Sequence, residues 1–285
     1  PTALLCGICY ERKNETKKQA LQSQRKSTSK EIGKLRANGE DSSAIESEVK
    51  KIGDEIKKLD DEGSKAATRQ EELLLNIPNL PHDNCPVGAD EESNPVIRNW
   101  GEKQALLQPR DHLEIAEKHG MISFDDGARI SGSGFAVYRD KGARLQRALI
   151  QYLLDLQTRE HGYEEVNVPH VVRRECMVGT TQLPKFEDDM YGVENNEMFL
   201  VPTAEVPITN LYRDTLLAEA DLPIKMTGHT PCFRREAGSA GRDNRGIIRI
   251  HQFDKVELVQ VVHPDQSLAL LEELTGHAEA ALQKL

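Results

Sequence analysis

Between residues 11 and 76 the apolar positions recur at alternating intervals of four and three. Ile45, Val49, Ile52, Ile56 and Leu59 keep this spacing, and Ala66, Leu73 and Ile77 continue its register. Upstream, Leu21, Thr28, Ile32 and Leu35 follow the same rule more weakly. Such a repeat places a narrow apolar stripe on one side of a helix, the seam of a coiled coil. Proline is absent from Glu11 to Asn76, and the two runs are separated by "ANGED" (Ala37–Asp41), whose Asn38-Gly39 is a turn signal. The pattern predicts two helices folded back as an antiparallel coiled-coil hairpin, each arm roughly 40 Å long at 1.5 Å per residue. So narrow a hairpin buries little against a globular body, so it is expected to project.

After Asn76 the pattern changes. "NIPNLPHDNCPVG" (Asn76–Gly88) is a proline-rich linker. "LQRALIQYLLDLQTREHGY" (Leu145–Tyr163) has the period of an amphipathic helix. "EEVNVPHV" (Glu164–Val171) is a strand interrupted by Pro169, which belongs at an edge or an interface. "PTAEVPITNLYRDTLL" (Pro202–Leu217) starts with a turn and runs into a helix. Two further strands follow, one within "LPIKMTGHTPCFRREAG" (Leu222–Gly238) and one from Ile247 to Val262. "SGSGF" (Ser131–Phe135) has no lysine in the Walker position and is expected to be a hairpin turn. Strands mixed with helices, without repeating βαβ units, indicate an α+β domain on an antiparallel sheet. The expected limits are 11–76 for the hairpin, 77–95 for the linker and 96–285 for the globular domain.

Composition adds limits. The 285 residues are 38% hydrophobic and 29% charged, with a net charge of −10. Five cysteines, scattered and odd in number, fit a reducing compartment better than a disulfide framework. Cys6 and Cys9 form a lone C-x-x-C with no second pair, and the histidines lack metal-ligand spacing, so no metal site is expected. No apolar run approaches the ~20 residues that span a bilayer. "TALLCGIC" is short and lacks a basic flank, so the expected location is cytoplasmic, or organellar if a targeting segment has been lost. The chain begins without methionine and stops inside a helical pattern, so both ends are expected to be cut. Charge is divided unevenly along the hairpin. Residues 11–36 carry nine Lys/Arg against three acids, and residues 40–75 carry six against eleven. Either the basic helix pairs with the acidic one, or its surplus meets a polyanion.

The candidate chemistry lies in "CFRREAGSAGRDNRGIIRIHQFDKVELVQV" (Cys232–Val261), a strand, a polar loop and a strand with five arginines. Alternation puts Arg234 and Glu236 on one face of the first strand, and Phe233 and Arg235 on the other. In the second strand Arg249, His251, Phe253, Lys255 and Glu257 share a face, while Ile248, Ile250, Val256 and Leu258 are expected to be core. A forked guanidinium suits a phosphate, an aromatic ring suits a base, and a carboxylate accepts from an amine. Together they fit a nucleoside triphosphate and a small cationic or hydroxylated partner. The competing reading is an exposed cross-strand ion-pair ladder. Cys232, on the even side, is not expected to be a nucleophile, and His229 and His251 are expected to line the site or serve the fold.

The ribbon resembles motif 2 of the class II aminoacyl-tRNA synthetases. With the "ANGED" hairpin, "IPNLPHD", "GTTQLPKF" (Gly179–Phe186), "PTAEVPITNL" (Pro202–Leu211) and "MTGHT" in order, the chain resembles the seryl-tRNA synthetase family from about Glu11 onwards. The resemblance implies a class II antiparallel-sheet catalytic domain behind a tRNA-binding arm. It implies that Arg234 grips the ATP α-phosphate, with Arg235 beside it, that Glu236 accepts from the adenine amino group and that Phe253 stacks on the adenine. Arg249 falls at the triphosphate tail, and Ile250 lines the ATP site. Thr203, Ala204 and Glu205 match the serine-binding loop, and Glu257 a carboxylate for the serine amino and hydroxyl groups. Arg242 and Arg245 fall on a loop that approaches the tRNA acceptor end. Leu145–Val171 matches motif 1, an element of a homodimer interface. ATP, Mg2+, L-serine and tRNA(Ser) are the implied ligands. The chain ends before motif 3, so an incomplete sheet is expected. A non-catalytic RNA-binding or dimerising derivative is the alternative, although Thr203, Glu205, Arg234, Glu236, Phe253 and Glu257 are all present.

Overall fold

The computed structural model describes residues 2–236 and 246–285, with side chains from Lys13 onwards. Cys6, Cys9, Arg242 and Arg245 therefore lie outside the described side chains. Two compact units divide the chain, Pro1–Pro95 and Val96–Leu285.

The first unit is a pair of helices, α1 (Thr2–Asn38) and α2 (Ser43–Leu75). They are longer than the sequence pattern indicates, about 50–55 Å each. The seam is realised. Ile52, Ile56 and Leu59 are buried, while Leu21, Thr28, Ile32 and Leu35 are half-buried. Ile77 is a correction: it lies beyond the helix and is 53% exposed. The following Pro78 disfavours helical backbone at its predecessor, so the register stops there. At the tip, Gly39 takes φ +75°, a conformation in which a Cβ is strained. Asp41 accepts from the Ser43 amide at 2.9 Å, and Glu46 receives both Ser42 Oγ and Arg36. Cross-helix pairs join Lys17 to Glu55, Lys18 to Asp60 and Arg36 to Glu46, each at 2.7 Å. Pairing thus uses part of the basic surplus. Arg25, Lys26, Lys30 and Lys34 have no ion-pair partner among the described residues.

The second unit opens with an irregular segment and then α3 (His112–His119), β1 (Ile122–Ser123), α4 (Phe124–Ser131), β2 (Val137–Tyr138) and α5 (Lys141–Arg159). There follow β3 (Glu164–Glu165), β4 (Val171–Arg173), α6 (Arg174–Gly179), β5 (Gly192–Val193), β6 (Met198–Leu200) and α7 (Glu205–Thr209). The long strands β7 (Ile224–Phe233) and β8 (Gln252–Val261) lead to α8 (Ser267–Gln283). β7 and β8 are antiparallel, and β3 joins β7 in parallel, in the order β3-β7-β8. A second sheet has the order β4-β6-β5, all antiparallel. The expected strand over 164–171 is thereby split: Pro169 separates β3 and β4, which belong to different sheets.

Two other expectations change. Ser131–Phe135 is the exit of α4 and not a hairpin turn, with Gly132 and Gly134 at φ +97° and +83°. The second ribbon strand begins at Gln252 and not Ile247. Gly246 at φ +77° opens a turn, and Ile248 is 65% exposed, so it is not core, whereas Ile250 is buried. Val256 and Leu258 are half-buried.

Two apolar clusters support the site from below. Val172, Met177, Leu183, Met190, Phe199, Val201 and Val206 form one, and Val168, Ala204, Ile208 and Met226 the other. Residues 201–204 run between them and are buried throughout. Each such side chain contributes about 1.5–3 kcal/mol.

Candidate active site

Register decides what the ribbon presents. Across β7 and β8, Gly228 faces Glu257, Thr230 faces Lys255 and Cys232 faces Phe253. Residues directly opposite each other share a sheet face. Three large functional side chains on β8 therefore stand over small, buried residues on β7, which leaves room above them for a ligand. Cys232 is fully buried, and burial pushes its thiol up from the usual range, in keeping with a residue that packs.

Arg234 follows on the same face. Its guanidinium lies 5.1 Å from the centroid of the Phe253 ring, and Nε donates to the Pro202 carbonyl at 3.3 Å. Its backbone N–H donates to His251 O at 2.9 Å, prolonging the strand pairing, and the Phe233 N–H donates to Val201 O at 2.9 Å. The ribbon is thus stitched to the 201–204 segment. Glu236, at φ +50°, pairs with Arg249 at 3.1 Å. Arg235 turns the other way and is exposed; its backbone N–H donates to Asp189 O at 2.8 Å.

At the other end, Thr203 Oγ1 donates to Glu257 Oε2 at 2.7 Å, and Lys255 Nζ reaches the same oxygen at 2.6 Å. The second oxygen of Glu257 has no protein donor among the described residues. Thr203 Oγ1 also accepts the Glu205 N–H at 3.2 Å, which caps the start of α7. Glu205 presents its side chain to solvent on one side and to the protein on the other. Desolvation and the nearby Glu257 charge raise its carboxyl above the usual range, against the pull of Lys255. Two carboxylates with one lysine between them leave a deficit of positive charge, which an ammonium group fills. Ala204 and Ile250 are buried.

Lys255 gains a partner in Glu257 that strand alternation alone does not assign. His251, stacked on Phe135 with centroids 5.1 Å apart and held by Tyr191 Oη at 2.6 Å, braces the strand behind Arg234. A 290 Å³ cleft beside Arg234 and Glu236 is walled by Gln182, Phe186, Asp189 and Met190. Among the described residues no cluster of His, Cys, Asp and Glu is arranged to hold a metal ion.

Residues 185–285 match the tRNA synthetase class II core domain (G, H, P, S and T), and residues 10–81 match the seryl-tRNA synthetase N-terminal domain. The serine–tRNA ligase of Akkermansia muciniphila is 65% identical over 274 residues, covering 96% of this chain and 64% of that protein. The corresponding enzyme of Aromatoleum aromaticum is 52% identical, over 95% of this chain and 64% of its own length. Among solved structures, the seryl-tRNA synthetase of Pyrococcus horikoshii complexed with ATP superposes with a TM-score of 0.85 at 32% identity, covering 99% of this chain and 68% of that one. The chain belongs to the seryl-tRNA synthetase family. It spans 64% of the length of the two ligases.

Proposed function

We propose that the chain supplies the tRNA-binding arm and the motif 2 half of the active site of a serine–tRNA ligase. The observation that carries this reading is the pairing of two sub-sites on one strand. Arg234 over Phe253 offers a cation and a flat ring. Two residues further on, Lys255 and Thr203 fix one oxygen of Glu257 and leave the other for a ligand.

On this reading ATP lies along the ribbon. Phe253 stacks on the adenine, Glu236 accepts from its amino group, Arg234 binds the α-phosphate and Arg249 the triphosphate tail. Arg235 and Ile250 complete the surroundings of the nucleotide. Serine binds with its ammonium between Glu205 and Glu257 and its hydroxyl on Glu257, beside the Thr203–Ala204 backbone. Its carboxylate oxygen attacks the α-phosphorus, the bond to the bridging oxygen breaks, and pyrophosphate leaves. Arg234 then stands where negative charge grows, so the protein contributes position and electrostatics more than proton transfer. A hydroxyl of the tRNA 3′-terminal adenosine next attacks the carbonyl of seryl-adenylate and expels AMP. Mg2+, held partly by the phosphates, would neutralise the developing charge. Alanine would leave an acceptor on Glu257 unpaired, a cost of about 1–3 kcal/mol.

Residues 11–76 are assigned to the arm, 77–95 to the linker and 96–285 to the catalytic region. The unpaired cations of α1, Arg25, Lys26, Lys30 and Lys34, suit the phosphates of the long arm of tRNA(Ser). Arg242 and Arg245 are assigned to the acceptor end, and Leu145–Val171 to a homodimer interface. No described helix is long and apolar enough to cross a membrane, and we place the protein in the cytoplasm.

The test is serine-dependent ATP–pyrophosphate exchange. Exchange that disappears in Arg234→Ala supports adenylation by this chain. A folded chain without exchange favours the non-catalytic, RNA-binding reading.

A further inference from the structure

The 290 Å³ cleft lined by Gln182, Phe186, Asp189, Met190, Arg234 and Glu236 shares only its arginine and glutamate with the site described above. Phe253, Thr203, Glu205 and Glu257 do not line it. It adjoins that site and shares the Arg234 and Glu236 side chains with it. Its outer wall is well fixed. The Gln182 amide donates to Met177 O at 3.0 Å, the Phe186 amide to Gln182 O at 2.9 Å and the Asp189 amide to Phe186 O at 3.0 Å. Leu183 and Met190 anchor the segment in the core, and the Arg235 N–H ties Asp189 to the ribbon.

On this fixed wall Phe186 keeps 41% of its surface in solvent. The Lys185 ammonium lies 5.2 Å from the centroid of its ring. An aromatic ring left exposed beside a cleft forgoes the stabilisation of burial, which Leu183 and Met190 of the same segment obtain. A ring, an adjacent cation and a side-chain amide are the three groups that a splayed nucleotide uses: a face for the base, a charge for the phosphate and a donor–acceptor pair for the base edge.

We propose that this compartment receives the next-to-last nucleotide of a single-stranded RNA 3′ end, with its base stacked on Phe186, its phosphate near Lys185 and its edge near Gln182. The assignment to the next-to-last position rests on the proposed function. If the terminal nucleotide reacts beside Arg234, the compartment adjoining Arg234 takes its neighbour.

The probe is an RNA hairpin with a single-stranded 3′ end whose next-to-last base is 2-aminopurine, titrated with the full chain. Stacking on Phe186 quenches its fluorescence. Phe186→Ala is expected to abolish the quench and weaken binding roughly 5- to 150-fold, the factor that one base–aromatic stack is worth. Phe186→Trp is expected to keep both. A quench of equal depth in Phe186→Ala, or none with the unaltered chain, overturns the proposal. So does a Phe186→Ala chain that keeps its quench while its KM for ATP rises in pyrophosphate exchange, since the ring would then wall the nucleotide site. Absence of exchange in every variant defeats the proposed function, and the quench still decides this inference separately.

Discussion

Replacing Thr203 by valine removes one hydroxyl and nothing else, since the two side chains have nearly the same shape. The hydroxyl is buried and makes two bonds, donating to the Glu257 carboxylate at 2.7 Å and accepting the Glu205 N–H at 3.2 Å. A hydrogen bond to a charged group contributes about 1.5–3 kcal/mol. The unmatched amide at the head of α7 adds about 1 kcal/mol, because solvent reaches it poorly. Glu257 retains Lys255 at 2.6 Å, so its charge is not left alone. The expected loss is about 2–4 kcal/mol, a large share of a typical 5–15 kcal/mol. Urea unfolding would show it as a lower midpoint at an unchanged slope. Thr203→Ser, which keeps both bonds, should recover most of the loss. The same valine should weaken serine binding, measured by calorimetry, because Glu257 is then free to rotate. A valine chain within about 0.5 kcal/mol of the parent and with unchanged serine affinity would refute the argument that this hydroxyl organises the site, since exposed, uninvolved positions vary by that much.

Gly134 combines φ +83° with a position where a Cβ would come 2.2 Å from His251 Cδ2. Gly134→Ala is expected to cost about 2–4 kcal/mol, from backbone strain and overpacking together, and to raise the KM for ATP, because the His251 carbonyl holds the Arg234 amide; a thermal melt with exchange kinetics checks both. Glu205 supplies a pH test. Its folded-state carboxyl is raised, so folding favours its protonated form, and stability is lost as pH rises from about 4.5 through the raised value. Glu205→Gln should therefore melt higher than the parent at neutral pH, lose that advantage below the usual carboxylate range, and bind serine worse throughout. A glutamine chain that melts lower at neutral pH would contradict the desolvation argument.

The long-period features were legible in the sequence because they depend on local spacing. Ile52, Ile56 and Leu59 fall on the seam of α2, and alternation brings Arg234 and Phe253 to one face, where they meet. Breaks were harder to place. The turn at 246–250 depends on the φ of Gly246, and Ile248 and Ile250 look alike in an alternating pattern although one is exposed and the other buried. Pro78 carries the signal that the seam stops before Ile77, although the apolar spacing continues through it. The partners of His251 and Phe186 were out of reach for another reason. His251 meets Phe135 and Tyr191 from distant segments, and the segment of Phe186 is tied to the ribbon by the bond between Arg235 and Asp189. Such contacts are set by how the two sheets meet, which periodicity does not encode.

On the proposed function, the guanidinium of Arg234 resting on Phe253 would make the two halves of the nucleotide interdependent. An adenine that takes the covered face of the ring must first dislodge the arginine, giving up a cation–π contact of about 0.5–2 kcal/mol. A phosphate performs that displacement itself, since it offers the arginine a better partner and uncovers the ring as it does so. On the proposed function, this contact would latch the site against bare nucleosides, with the phosphate as the key. Discrimination between adenosine and its phosphorylated forms then resides less in any contact with the base than in which group moves first.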